Sequence, residues 1–178
     1  MAALKSCQPL ESTVRLRRIL TLPAIPVLAS LLLGAAACGK SAADYEKEAQ
    51  SALNAGDGAK ALLSAEEGLK SAGSDKAVAW RLEKVRVEAL AKEGKGAELP
   101  TELERLKAGY PGQATAQFYK AVADKLATAG DKDGQLAVLD AGAKGFPDDK
   151  TFLEAIEGLK GAANSPEDVE RLKALGYL

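Results

Sequence analysis

Histidine is absent from the 178-residue chain, cysteine occurs twice, methionine and tryptophan once each, and aromatic residues make up only 4%. Without an imidazole there is no Ser-His-Asp or Cys-His nucleophile system, no His-ligated zinc and no HExxH metalloprotease site. Neither sign of charge dominates: 24 Lys and Arg stand against 25 Asp and Glu, a formal net charge of -1. Nucleic-acid binding rests on clustered Lys and Arg that neutralise phosphates, so that class is disfavoured too. No stretch sustains the period-two alternation with β-branched side chains that marks a strand. What is present, 47% apolar and 28% charged residues, fits one modest all-α domain with or without a targeting segment, and not a disordered chain.

The most informative segment lies near the N-terminus. Arg15, Arg17 and Arg18 precede Ile19 to Ala37, an uncharged run of 19 residues that includes Leu31-Leu32-Leu33. A basic flank, an apolar stretch and a small-residue end make a secretory signal. The run closes on Gly34-Ala35-Ala36-Ala37-Cys38-Gly39, which resembles the lipobox of bacterial lipoproteins, with Ala35 where that family usually carries leucine. The resemblance implies cleavage between Ala37 and Cys38, a diacylglycerol joined to the Cys38 thiol and a fatty acyl group such as palmitate on the new terminus. Residues 1–37 are then the signal peptide, 38–41 a lipidated tether and 42–178 the body. Gly39 stands where an inner-membrane retention signal often has Asp, which points to the outer membrane, facing the periplasm.

Two other readings of this segment stay open. A run of 19 residues is just long enough for an uncleaved anchor, although Pro23 and Pro26 interrupt its first half. Cys7 and Cys38 could pair, although Cys7 precedes the arginines, in the part a signal peptidase discards. The thirteen residues before Val14 are an unusual preface to such a signal, and a start at Val14 gives the compact Val-Arg-Leu-Arg-Arg opening such signals have.

Removing residues 1–37 takes four of the basic and one of the acidic side chains and leaves 20 against 24. Apart from Cys38 this body has no thiol, hence no disulfide, no Cys nucleophile and no Cys metal site. Its apolar spacing is helical throughout. Leu82, Val85 and Ala89 form one stripe, and Leu99, Leu103, Leu106 and Tyr110 another. Phe118, Tyr119, Val122, Ala123 and Leu126 form a third, and Phe152, Ile156 and Leu159 a fourth. Turn signals separate them at Gly56-Asp57-Gly58, Ser74-Asp75, Gly94-Lys95-Gly96, Tyr110-Pro111-Gly112, Gly130-Asp131, Phe146-Pro147-Asp148 and Asn164-Ser165-Pro166. Pro100 suits a first helical turn, where its missing N–H costs nothing.

These breaks recur. Gly56, Gly94 and Gly130 are 38 and 36 residues apart, and Gly109-Tyr110-Pro111 returns 36 residues later as Gly145-Phe146-Pro147. Ala49, Gly56-Asp57, Ala61 and Gly68 in a first unit resemble the tetratricopeptide repeat, and Tyr119, Ala123, Leu126, Gly130-Asp131 and Pro147 repeat the pattern in a third. In the second unit Val87 and Leu99-Pro100 depart from it. The resemblance implies a right-handed α-solenoid of about three TPR-like helix-turn-helix units over residues 42–162, with Ser165 to Leu178 as a C-terminal capping helix burying Val169, Leu172 and Leu175. The competing architecture is an irregular helical bundle.

Catalytic chemistry finds little support. Gly56-Asp57-Gly58 and Gly94-Lys95-Gly96 have neither the spacing of a phosphate loop nor a preceding strand. Asp131-Lys132-Asp133-Gly134 lacks the third oxygen ligand and the closing glutamate of a calcium loop. No metal, cofactor or enzymatic activity is expected. In the repeat register the first helix of each unit lines the concave face, presenting Arg81, Lys84 and Glu88 from the second unit and Gln117, Lys120 and Asp124 from the third; a solvated face with ion pairs is the plainer account of these residues. Trp80 is expected to pack between helices. The favoured function is a membrane-tethered scaffold or assembly factor for a protein partner in the envelope. A small-ligand or substrate-binding lipoprotein, and after it an envelope hydrolase, are the alternatives.

Overall fold

Local capping sets most helix boundaries in the computed structural model, which describes residues 39–178. The signal peptide, the Val14 start, the Ala37/Cys38 cleavage site and the acylated Cys38 lie outside the described residues. Eight α-helices are present among the latter: α1 Ala42–Ala55, α2 Gly58–Ala72, α3 Lys76–Lys92, α4 Leu99–Gly109, α5 Ala116–Ala129, α6 Lys132–Gly145, α7 Thr151–Ala162 and α8 Pro166–Ala174. A 3-10 turn, Gly96–Glu98, leads into α4, and no strand occurs among the described residues. Nor is any of these helices long and apolar enough to cross a membrane.

Six helices begin at a side chain that accepts an otherwise unpaired first-turn N–H: Ser41, Asp57, Asp75, Thr115, Asp131 and Ser165. Ser41 and Asp44 complete a reciprocal capping box at the start of α1. At the far ends of α1 and α5 the chain turns through Gly56 (φ 89°) and Gly130 (φ 78°), left-handed conformations that cost a side-chain-bearing residue steric strain. Helices α4 and α6 end alike, at Tyr110 and Phe146, each donating its N–H to the carbonyl four residues back at 2.8 Å. Both rings then pack against an aromatic on the preceding helix of their pair, Tyr110 on Trp80 at 5.3 Å and Phe146 on Tyr119 at 5.2 Å.

Sequential helices pack as neighbours, and α1 also meets α3, α3 meets α5, and α4 meets α6. Polar ties follow the same interval. Arg81 reaches Glu46, Lys92 reaches the Leu53 carbonyl, Lys107 the Gly145 carbonyl and Lys132 Asp168, at separations of 35, 39, 38 and 36 residues.

Two apolar clusters form. The first is alanine-rich, with Ala49, Ala52, Ala61, Ala65 and Ala72 around Leu53, Leu82 and Val85. The second holds the large side chains, among them Leu99, Leu103, Leu106, Tyr119, Leu126, Leu139, Phe152 and Ile156. Helix α3 serves both: Leu82, Val85 and Ala89 enter the first, and Trp80, Val87, Leu90 and Ala91 the second. Its sequence stripe of Leu82, Val85 and Ala89 is therefore only one of two buried faces. Close approach explains two glycines. A Cβ at Gly68 would lie 2.8 Å from Leu82 and 2.9 Å from the Tyr45 Cβ, and one at Gly142 would overlap the Phe152 ring.

The closing helix differs from expectation. It stops at Ala174, Leu175 is its C-cap and Gly176 takes φ 79°. Leu172 is 2% exposed as expected, Val169 is half-buried, and Leu175 stands 38% exposed. The left-handed turn carries the chain back, so that Tyr177 packs on the core instead of Leu175 and its hydroxyl donates to Asp140 at 2.9 Å.

Candidate binding groove between the first and third helices

Arg81, Lys84 and Glu88 sit at i, i+3 and i+7 on α3, a spacing that puts three side chains on one helical face. That face looks toward α1. The Arg81 Nε donates to the Glu46 carboxylate at 2.6 Å, and Gln50 completes the α1 wall of a cleft of about 160 Å³ that Lys84, Val85 and Glu88 line from α3. The cleft continues along α1 into a shallower depression bordered by Ala43, Lys47, Ser51 and Asn54. Its electrostatics are mixed. Glu46 is taken up by Arg81, and Glu88 meets Lys125 of α5 at 3.0 Å. Lys84, half-buried, makes no ion pair among the described residues. Such a groove can offer one free cation and the amides of Gln50 and Asn54 to an extended peptide; it holds no nucleophile paired with a base.

Gln117, Lys120 and Asp124 share one face of α5, where Lys120 and Asp124 pair at 3.4 Å along the helix. They do not line the α1/α3 cleft. Only the Glu88–Lys125 bridge connects the two helices' polar faces. Trp80 is 9% exposed, with Tyr110 and Phe118 rings at 5.3 and 5.2 Å, so it is a packing residue. Asp131 uses its carboxylate to cap α6, accepting the Gly134 N–H at 2.8 Å. Among the described residues no three His, Cys, Asp or Glu side chains gather as a metal site.

One charged cluster had not been anticipated. Glu83, only 4% exposed, accepts Arg105 at 2.7 Å and Arg86 at 3.3 Å, while Glu102 meets Arg105 at 2.5 Å and also pairs with Arg86. Burial alone would raise the Glu102 pKa; hydrogen bonds from Arg105 and Arg86, with their charges, outweigh it and hold the carboxyl below its ordinary range. For Arg105 burial acts downward, and its bonds to Glu102 and Glu83 raise it further. This four-residue network ties α3 to α4. Its signal was legible as two i, i+3 pairs, Glu83-Arg86 and Glu102-Arg105, on successive helices, but each alone reads as an exposed pair.

A second cleft, about 70 Å³ and floored by Leu136, Leu159, Ala162, Ala163 and Leu172, lies between α6, α7 and α8. Sites for small organic ligands run to roughly 300–1,000 Å³, so this one admits little more than a single aliphatic group. Comparison with known protein families, curated proteins and solved structures finds no match to this chain.

Proposed function

We propose that the protein is a bacterial lipoprotein, anchored through Cys38 to the periplasmic face of the outer membrane, whose body is a TPR-like α-solenoid acting as a non-enzymatic scaffold or assembly factor for another envelope protein. The observation that carries this reading is the lipobox-like Gly34-Ala35-Ala36-Ala37-Cys38 placed directly before a helical body capped at Ser41. The solenoid part is supported by neighbour-only packing, by side-chain ties one unit apart, and by the matching ends of α4 and α6. In stacked helical arrays each unit contacts chiefly its neighbours, and the concave face is left for partners. Here that face is the α1/α3 groove, with Arg81, Lys84 and Glu88 in it and Gln117, Lys120 and Asp124 on the next helix.

Small-ligand binding is less well supported, because the one mainly apolar cleft described is too small for a metabolite. The decisive experiment is Cys38→Ser. Acylation and cleavage are expected to cease, leaving a precursor of full mass; normal maturation after Ala37 refutes the lipoprotein reading. Density-gradient fractionation tests the membrane, since recovery solely with inner-membrane markers removes the outer-membrane assignment. For the scaffold role, Lys84→Glu in the detergent-solubilised protein is expected to reduce co-purification of the partner that the native protein retains. Equal recovery by both moves the binding surface elsewhere.

A further inference from the structure

Ser41 fixes where the folded body begins. Its side chain and the Asp44 carboxylate cap one another's backbone N–H groups at 3.2 Å, and the Ser41 carbonyl accepts the first helical bonds from Asp44 and Tyr45. Lys40 is laid back along α1, its ammonium 2.5 Å from Glu48 and 5.5 Å from the Tyr45 ring centroid. Only Gly39 and Lys40 thus separate Cys38 from the cap. An extended chain gains at most ~3.6 Å per residue, so the acylated residue and the start of α1 stand within about 11 Å of one another.

The packing says what else lies at that end. The Gly68 backbone, late in α2, touches both Tyr45 of α1 and Leu82 of α3. At the other end Lys92 of α3 reaches the Leu53 carbonyl, and Glu93 crowds Gly58. The start of α1, the end of α2 and the Ser74-Asp75 turn therefore form one edge, and the Lys92 to Lys95 turn belongs to the opposite edge. A helix of the length of α1 spans about 21 Å between them.

We infer that the edge formed by the start of α1, the end of α2 and the Ser74-Asp75 turn rests against the lipid headgroup layer, held there by the two-residue tether. This rests on the proposed acylation of Cys38. The edge has no cationic excess to hold it by charge alone: Lys40 is neutralised by Glu48 and Lys70 by Glu67, and Asp75 adjoins Lys76. Covalent lipid does the holding, and geometry sets which edge is near. The α1/α3 groove begins at Ala43 and Glu46, within two turns of the tether. Its mouth accordingly opens at the bilayer surface, which suits a segment emerging from the membrane better than a partner free in the periplasm.

The test uses the full-length acylated protein in vesicles, with a fluorophore on either Ser74→Cys or Lys95→Cys. Both positions are exposed, and in the mature chain the only other thiol is the acylated one. Quenchers attached to lipid headgroups are expected to act several-fold more strongly on the Ser74 label than on the Lys95 label. Inserting about twenty Gly and Ser residues between Gly39 and Lys40, a coil of roughly 25 Å, is expected to erase that difference. Equal quenching in the uninserted protein overturns the orientation, and a difference that survives the insertion overturns the tether as its cause. Flotation separates this from the parent reading: protein that fails to float and carries an unmodified Cys38 refutes the lipoprotein assignment and this inference with it, whereas floating protein with equal quenching refutes the orientation alone.

Discussion

The α1–α2 pair and the α5–α6 pair are built on the same local chemistry and filled with different side chains. Gly56 and Gly130 end the first helices, Asp57 and Asp131 cap the second, and Gly68 and Gly142 admit the following helix, each pair separated by the same 74 residues. Around this shared frame the first pair buries mostly alanine, and the other buries Tyr119, Val122, Leu126, Leu136, Val138 and Leu139. Alanine permits backbones to come close and contributes little area per residue; Leu and aromatics contribute roughly 1.5–3 kcal/mol each when fully buried. The same turn chemistry thus supports a tight interface sensitive to added volume in one place, and a thick one sensitive to lost volume in the other.

The largest effect that would test this contrast is in the thick core. Phe152→Ala removes a fully buried ring packed on Gly142 and Phe146, and a loss of about 3–5 kcal/mol is expected from denaturant unfolding. A loss below ~1 kcal/mol would mean that α7 is not part of the stabilising core. In the tight interface the complementary change is Ala49→Leu. Ala49 has no exposure, so overpacking is expected to cost about 1–3 kcal/mol, whereas Ala49→Gly should cost close to the ~1 kcal/mol of helix propensity. If the larger residue is accommodated without loss, the α1–α2 region is looser than described.

Asp57→Ala and Asp131→Ala ask whether the shared frame is energetically shared. Each carboxylate accepts one backbone N–H, from Lys60 at 2.9 Å and from Gly134 at 2.8 Å. Each replacement is expected to cost about 1 kcal/mol, with the two within a few tenths of one another in chemical denaturation. A wide gap would break the equivalence of the two turns.

The smallest expected effect is in pH dependence. The folded pKa of Glu102 lies below its unfolded value, so its contribution is present above the unfolded pKa and is lost as pH falls through the folded one. Glu102→Gln should flatten the acid limb of the stability curve, by an amount reduced by salt because Arg105 is half-exposed. At the alkaline end Tyr177, pushed up to about 12 by burial and by its bond to Asp140, loses its contribution as pH rises from 10 toward 12. Tyr177→Phe should remove that loss; an unchanged alkaline limb would show that the C-terminal turn does not depend on this contact.

Much of the architecture was legible because its causes are local. Caps, left-handed glycines, Pro100 and the Tyr110 and Phe146 terminations depend on neighbours within four or five residues, and the stripes of α4, α5 and α7 are one-sided and therefore visible as periodicity. Leu175 was misread because the helical period was carried past Gly176, which ends it. Helix α3 was half read, since a helix buried on two faces shows no single stripe. For the candidate groove, sequence spacing put Arg81, Lys84 and Glu88 on one face but could not supply Glu46, Gln50 and Lys125, which come from other helices.

By itself the sequence determined the all-helical character and the positions of the turns, because hydrogen bonds within one helix and its caps need no distant partner. It also carries the lipobox-like segment, whose meaning is covalent and not conformational. Tertiary structure alone decided that the alanine-rich and aromatic cores are separate and meet at α3, that Glu83 is buried among Arg86 and Arg105, and that Tyr177 and not Leu175 seals the last helix. Each of these depends on which side chains from distant parts of the chain compete for the same volume, and that competition is settled only when the helices pack.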